Sequence, residues 1–193
     1  MTAARARAPS TRVGPTDAEI VAQVRGGDAD AFRLLVARHY TPLLRYAARM
    51  LGNRADAEET VQDTFVRAFR SLRRYDTNRP VDAWLWGILV NRCRTAGARR
   101  RRREQLEADA HAAAADALLD LNESRLHDPR PELQRALDAL PAAHREALLL
   151  KYLDDRTYEE MNALTGAGVS ALKMRVKRAR EQLEELLREV YDG

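Results

Sequence analysis

Apolar residues recur along most of the chain at intervals of three and four, with charged residues between them. This spacing places the apolar side chains on one face of an α-helix, whereas a half-buried strand alternates apolar and polar residues. Alternating runs of β-branched and aromatic residues are scarce, while alanine, leucine, arginine and glutamate, which favour helices, are abundant. The pattern therefore predicts an all-α protein.

Local start and stop signals divide the first part of the chain. Thr16 has capping-box spacing to Glu19, which predicts the start of a first helix, and a glycine pair ends it. A second helix is expected from about Asp30. Because proline suits the first turn of a helix, Pro42 is expected to open a third one that continues to the next glycine.

The following segment carries two further predicted helices. The helix over 55–72 has an apolar stripe on one face and a largely acidic face opposite. A loop over 75–82 contains turn-forming Asp, Asn and Pro. The next helix begins near Trp84 and runs towards five consecutive arginines at 99–103.

An abrupt change of composition predicts the domain organisation. After the arginine run the chain becomes rich in alanine and aspartate, lacks aromatic residues and ends in Asp-Pro-Arg-Pro, which is typical of a linker with transient helix at most, around 118–121. We therefore expect two small helical domains joined by a flexible linker. The predicted segments are a flexible basic tail at 1–15, a first domain at 16–103, the linker at 104–131 and a second domain at 132–193.

Composition excludes several classes of function. The single Cys93 cannot form an internal disulfide, and the four histidines lack ligand spacing, so we expect no metal and no cofactor. No phosphate-cradling glycine loop and no nucleophile with a recognisable base are present, which argues against an enzyme. The chain has no apolar run of membrane-spanning length and no secretory signal, so we expect it in the cytoplasm without membrane insertion.

The second domain ends in the spacing of a helix-turn-helix: a short helix over 158–164, a turn over 165–168 and a long helix from Ser170. The long helix is apolar on one face and carries Lys, Met and Arg on the other in its first half, with glutamates following after Arg180. A basic face at the start of the second helix suits entry into the DNA major groove. The alternative is an ordinary solvated charged face.

A polar cluster in the helix that begins near Trp84 is the second candidate for nucleic-acid binding. Asn91, Arg94 and Thr95 share one face, and the apolar face carries Cys93. Asparagine can pair with base edges, and arginine neutralises phosphate or stacks on a base. The alternative is that the tryptophans are core anchors and the arginine run only solubilises the chain.

Three ordered motifs, spread over residues 17–187, resemble the extracytoplasmic-function sigma factors of the sigma-70 family. DAEETVQDTFVRAF at 56–69 is similar to the polymerase-binding helix of that family, and WLWGILVNRC at 84–93 to its promoter-melting helix. The segment from Ala139 to Arg180 is similar to its reader of the upstream promoter element. The resemblance implies a transcription initiation factor that docks on core RNA polymerase and binds promoter DNA.

The resemblance also implies site residues and partners. The clamp helices of the largest polymerase subunit would contact Glu59, Gln62, Asp63 and Val66. The melted minus-10 element would contact Asn78, Trp84, Asn91, Arg94, Thr95, Arg99, Arg100 and Arg101. The minus-35 duplex would contact Ser170, Lys173, Met174, Arg175, Lys177 and Arg178. An anti-sigma factor would cover these same faces, and the linker would occupy the RNA path inside the polymerase.

Some positions depart from the family pattern. Relatives often carry Pro, Thr and Ser in and after the turn of the helix-turn-helix, where this chain has Gly168, Ala171 and Met174. Two hydroxyl groups that could contact DNA are therefore missing. Val81 and Asp82 stand where aromatic residues are common in the base-capturing loop. These differences leave the preferred promoter bases open.

Two other functions compete with the sigma factor. A stand-alone helix-turn-helix regulator would explain the second domain, but it leaves the acidic helix over 55–72 and the arginine run without a role. A helical interaction protein with merely solubilising basic regions would show no salt-dependent affinity for DNA.

Overall fold

The computed structural model describes residues 14–113 and 131–192. Within those ranges every regular element is helical, which confirms the all-α prediction. The predicted basic tail and most of the predicted linker lie outside the described residues. The helices are α1 (Asp17–Arg25), α2 (Phe32–Leu51), α3 (Arg54–Ser71), α4 (Val81–Ala113), α5 (Pro131–Ala139), α6 (Ala142–Tyr152), α7 (Tyr158–Thr165) and α8 (Val169–Asp192), with 3-10 turns at Ala29–Ala31 and Leu72–Arg74.

In the first domain α2, α3 and α4 all pack against one another, and α1 packs against α2 and the two 3-10 turns. Leu35, Tyr46 and Leu89 are fully buried at its centre. The Tyr46 ring meets the Trp86 ring edge to face, with centroids 5.1 Å apart. The capping box predicted at Thr16 is present, because its backbone N–H donates to the Glu19 carboxylate over 2.6 Å.

The prediction of a new helix at Pro42 is wrong. Helix α2 continues through Pro42 to Leu51, although proline lacks the N–H that would bond to the preceding turn. Leu35 before the proline and Leu43 after it are both fully buried against the same core. Packing of one continuous apolar face therefore outweighs the missing backbone hydrogen bond.

Helix α4 extends ten residues beyond the expected end of the first domain at 103 and ends at Ala113. The extension consists of helix-forming Glu, Gln, Leu, Ala, Asp and His, without glycine or proline. The change of composition at 104 therefore does not end the helix. A segment rich in alanine and aspartate can continue a helix, so composition alone does not show where α4 stops. Helix α5 begins at Pro131, one residue before the second domain was expected to start.

The second domain contains the expected helix-turn-helix, formed by α7 and α8. Thr157 caps α7 in a capping box with Glu160, and Gly166 ends it with a left-handed φ of 72°. Met161 on α7 and Leu172 on α8 are buried together with α6 residues. The second domain also packs on the first, since α5 and α6 contact α2, and α7 contacts α4.

Candidate protein-binding and nucleic-acid-binding surfaces

The four residues predicted to bind polymerase lie on one face of α3. Glu59, Gln62 and Val66 are exposed, whereas Asp63 is half-buried. The sequence reasoning missed Phe69, which lies one turn after Val66 and is equally exposed, at 44%. Its ring packs against Phe32 with centroids 5.1 Å apart, so the α3 face has an apolar centre as well as a polar edge.

Asp63 is held by two arginines. Arg67 Nε donates to the Asp63 carboxylate over 3.0 Å, and Arg92 Nε on α4 lies 2.5 Å from the same oxygen. Burial alone would raise the pKa of Asp63, but the two guanidinium groups outweigh it and hold the pKa below its ordinary value. The carboxylate is therefore ionised and oriented, and it joins the α3 face to α4.

The loop before α4 borders a cavity of about 520 Å³. Its lining includes Tyr75 and Asn78, and the Tyr75 ring stacks on Trp84 with centroids 4.5 Å apart. Of the residues predicted to capture a base, the structure brings Asn78 and Trp84 to this region. Asn91 lies two turns further along α4 and does not line the cavity.

Two aspartates in the lining of this cavity share a buried histidine, a connection that the sequence reasoning missed. Asp17 and Asp82 line the cavity, and buried His39 lies between them. His39 Nε2 is 2.8 Å from Asp17 Oδ2, and His39 Nδ1 is 3.7 Å from Asp82 Oδ1. Burial raises the pKa of Asp17, but hydrogen bonds from His39 and Arg38 outweigh this and the net shift is downward.

The predicted cluster on α4 is only partly available to a ligand. The Asn91 side chain is exposed. The Thr95 hydroxyl is engaged within the helix, because it donates to the backbone carbonyl of Asn91. The Arg94 guanidinium donates to both carboxylate oxygens of Glu146 on α6, each over 2.7 Å. Cys93, on the opposite face, is buried, and burial raises its pKa to about 12, so the thiol stays protonated.

The arginine run is divided between two roles. Arg99 and Arg101 are exposed. Arg100 Nη1 donates to the Leu51 carbonyl over 2.6 Å and thereby joins α4 to the end of α2. The structure thus presents Arg99 and Arg101 to a ligand, while Arg100 also supports the fold.

The recognition helix α8 presents most of its predicted residues. Ser170, Lys173, Met174, Lys177 and Arg178 are all exposed. Arg175 is half-buried and lines a cavity of about 340 Å³ between the two domains, which Arg94 and Arg101 also line. Arg175 is therefore the exception within the predicted minus-35 set.

No group of three or more His, Cys, Asp or Glu residues in 14–113 and 131–192 has the geometry of a metal site. None of the helices described there is both long and apolar enough to cross a membrane.

Comparison with known proteins decides between the competing functions. Residues 35–104 match the protein family Sigma-70 region 2, and residues 130–183 match the family Sigma-70, region 4. The RNA polymerase sigma factor CarQ of Myxococcus xanthus is 36% identical over 170 residues, which span 86% of this chain and 94% of CarQ. The chain belongs to the extracytoplasmic-function sigma factors of the sigma-70 family. These matches include the first domain, so they do not support a stand-alone helix-turn-helix regulator.

Further sigma factors resemble most of the chain. The ECF RNA polymerase sigma factor SigW of Bacillus subtilis is 29% identical over 88% of this chain and 96% of SigW. The solved structure of CnrH with the cytosolic domain of CnrY gives a TM-score of 0.64 at 33% identity and covers 90% of this chain and 97% of CnrH. RpoE of Bartonella quintana, solved with the anti-sigma factor NepR, gives a TM-score of 0.65 at 29% identity and covers 81% of this chain and 96% of RpoE.

Proposed function

We propose that this sigma factor binds core RNA polymerase through α3, captures and melts the minus-10 element at α4, and reads the minus-35 duplex with α8. The observation that carries the proposal is that one chain presents a partly apolar protein-binding face and two separate basic faces in the order of sigma regions 2 and 4. The chain acts by binding, and the chemistry of RNA synthesis belongs to the polymerase, so we propose that it is not an enzyme.

The α3 face has the composition of a protein interface. Val66 and Phe69 form an exposed apolar centre, and Glu59 and Gln62 form a polar rim. Interfaces concentrate their binding free energy in such apolar centres, while charged rims guide orientation. Asp63 is pre-oriented by Arg67 and Arg92 and therefore contacts the polymerase clamp helices without losing further side-chain freedom.

The surface around α4 suits a melted strand. A base that leaves the stack loses a few kcal/mol of stacking and pairing, so its capture couples binding to melting. The cavity beside Asn78, supported by the Tyr75–Trp84 stack, is the site we assign to that base. Arg99 and Arg101 then neutralise the phosphates of the same strand.

The first half of α8 suits duplex DNA. Side chains at the start of a recognition helix reach both base edges and phosphates in the major groove. Lys173, Lys177 and Arg178 supply positive charge, and exposed Met174 can make an apolar contact with a thymine methyl group. Where relatives often have a hydroxyl group, this chain thus offers the apolar side chain of Met174. We expect this side chain to favour a promoter element that contains thymine.

We further propose an anti-sigma partner, a cytoplasmic location and the domain limits 16–103 and 132–193. CnrH was solved with CnrY, and RpoE of Bartonella quintana with the anti-sigma factor NepR. A partner of that kind would regulate this chain by covering α3 and the DNA-binding helices.

Co-elution with core RNA polymerase, followed by run-off transcription from a library of promoter fragments, tests the proposal. We expect a stable complex that starts transcripts, and the templates used will supply the promoter sequence. Binding to duplex DNA without a polymerase complex would overturn the proposal. The same assay with a catalytically inactive polymerase verifies that the transcripts come from the polymerase.

A further inference from the structure

Helix α1 borders the cavity that we assign to the captured base. It contributes Asp17, Ala18 and Val21 to the lining, while the loop and the first turn of α4 contribute residues 77–82. Helix α1 and the loop are far apart in the sequence, so the cavity keeps its shape only while the two hold their relative positions. The contacts that hold them therefore bear on which base the cavity accepts.

Arg25, the last residue of α1, joins this helix to the start of the loop. Its Nε and Nη2 donate to the Leu72 carbonyl over 3.1 and 3.0 Å, and Nη2 also donates to the Tyr75 carbonyl. Carbonyls at the end of a helix lack partners further along it, and a planar guanidinium can donate to several of them at once. Arg25 thus fixes the point at which the loop leaves the 3-10 turn after α3.

Tyr75 connects Arg25 to the cavity. Tyr75 is 7% exposed and lines the cavity. Its ring centroid lies 5.9 Å from the Arg25 guanidinium carbon and 4.5 Å from the centroid of the Trp84 ring. Its hydroxyl donates to the Arg79 carbonyl further along the loop. A displacement of Tyr75 would therefore move the loop relative to Trp84.

The other end of α1 is tied to the other end of the loop. Asp17 lies in the first turn of α1, and Asp82 lies in the first turn of α4, where the loop ends. Both carboxylates face His39, with Oδ2 of Asp17 2.8 Å from Nε2 and Oδ1 of Asp82 3.7 Å from Nδ1. The loop is thus anchored to α1 directly at its start and through His39 at its end.

We propose that Arg25 is a positioning residue for base capture, which acts through Tyr75 to hold the loop in the conformation that selects one base of the minus-10 element. This role rests on the proposed function of the cavity. Arg25 does not line the cavity, so it affects the base only through the loop. A fixed cavity favours the base whose donors and acceptors match it, whereas a mobile loop can adjust to several bases.

Removal of the Arg25 contacts should release the loop in the free chain. The backbone amides of Asn78 and Arg79 report on this, because they donate to the carboxylate and the carbonyl of Asp76 over 3.0 and 3.1 Å. We expect Arg25→Gln to make hydrogen exchange of these two amides about tenfold faster, with exchange at the centres of α2 and α4 unchanged. Equal exchange of the two loop amides in both proteins would overturn the proposal.

Base selection is measured with reconstituted holoenzyme. Run-off transcription from promoter fragments with both elements randomised, followed by sequencing of the transcribed templates, gives the preference at each position. We expect an about tenfold preference for the captured base with the unaltered chain, which falls to about twofold with Arg25→Gln. Preferences in the minus-35 element should stay the same. A lower transcript yield with unchanged minus-10 preferences would show that Arg25 only stabilises the fold.

Arg25→Lys separates the geometry of the guanidinium from its charge. The variant keeps the charge, but an ammonium group lacks the planar fork that reaches the carbonyls of both Leu72 and Tyr75. We expect it to relax the preference at the same position as Arg25→Gln, although to a smaller extent. A preference equal to that of the unaltered chain would show that charge alone matters and would contradict positioning.

Asn53→Ala is the control for stability. Asn53 caps the start of α3, where its Oδ1 accepts from the Asp56 N–H over 3.0 Å, and it makes no contact with the loop in the capped structure. Loss of the cap should lower the stability of the first domain towards urea. We expect loop exchange and base preference to remain those of the unaltered chain. Relaxed selection by Asn53→Ala would show that general instability is sufficient.

The outcomes separate this role from the proposed function. A chain that starts no transcripts with core RNA polymerase would overturn the proposed function, and the role of Arg25 with it. If the unaltered chain starts transcripts and selects its minus-10 bases, and Arg25→Gln selects the same bases as strongly, only the role of Arg25 is wrong.

Discussion

A Cβ atom added to Gly52 would lie 2.9 Å from each carboxylate oxygen of Asp138. Gly52 ends α2 in the first domain with a left-handed φ of 69°, whereas Asp138 belongs to α5 in the second. Asp138 cannot easily move away, because Arg145 donates to its carboxylate over 2.7 Å and Gln134 over 3.1 Å. The absence of a side chain at Gly52 therefore permits the close approach of the two domains.

Replacement of Gly52 by alanine should loosen the domain contact. The left-handed backbone costs an alanine about 1 kcal/mol, and the contact with Asp138 adds to that cost only while the domains are packed. We expect Gly52→Ala to increase the radius of gyration of the free chain in X-ray scattering. Its urea unfolding should also show lower stability.

Gly166 provides the control for this prediction. It has the nearly identical φ of 72°, but a Cβ added there would meet nothing within 4 Å. Gly166→Ala should therefore carry the backbone cost without any increase in the radius of gyration. The same increase in both variants would show that the Asp138 contact is not responsible.

A charge placed in the apolar centre of the α3 face should weaken polymerase binding. Val66→Asp buries a carboxylate in the proposed interface, which should cost at least about 2 kcal/mol and weaken binding about 30-fold or more. Titration of labelled core RNA polymerase measures the change. Leu34→Asp, at an apolar residue of α2 with 38% exposure, is the control, and an equal loss there would show that the effect is not specific to α3.

Removal of Arg101 should lower the salt dependence of single-strand binding. Each phosphate contact contributes about 0.7 to the slope of log affinity against log salt concentration for a single strand. Arg101→Ala should reduce the slope by about that amount. Arg135→Ala, which removes an exposed arginine from α5, should leave the slope unchanged, and an unchanged slope for both variants would remove Arg101 from the DNA surface.

The stabilising effect of Asp17 should depend on pH. Its pKa is lowered in the folded chain, so the ionised carboxylate stabilises the fold above its unfolded-state pKa of about 4. That stabilisation is lost as the pH falls through the lowered folded-state value. Urea unfolding of the unaltered chain and of Asp17→Asn between pH 6 and about pH 2 should show a stability difference that shrinks with falling pH. Parallel curves would contradict this assignment.

Local signals predicted most of the helices. The capping boxes at Thr16 and Thr157 each involve four consecutive residues, so the sequence contains all the groups that form them. The apolar stripe of α8 likewise follows from helical spacing, and Leu172 and Val176 are buried as expected. The continuity of α2 through Pro42 could not be predicted from local signals, because it depends on a core built from other helices.

Contacts between distant residues account for what the sequence did not reveal about the candidate site. Arg94 and Glu146 are 52 residues apart and follow no common periodicity. His39 is buried on α2, and its neighbours Asp17 and Asp82 come from two other helices, so no pattern within one helix connects the three residues. A helical wheel shows which face of one helix is polar, but it does not show which helix of the other domain covers that face.

The uninterrupted course of α4 has a geometric consequence. Trp84 and Arg101 belong to one helix, so about 25 Å of rigid rod separates them, at 1.5 Å per residue. One residue inserted between them would rotate the arginines by about 100° relative to the base-capturing cavity, whereas four inserted residues would nearly restore their direction while moving them about 6 Å further away. The length and phase of this single helix thus set both the distance and the angle at which the melted strand can be held.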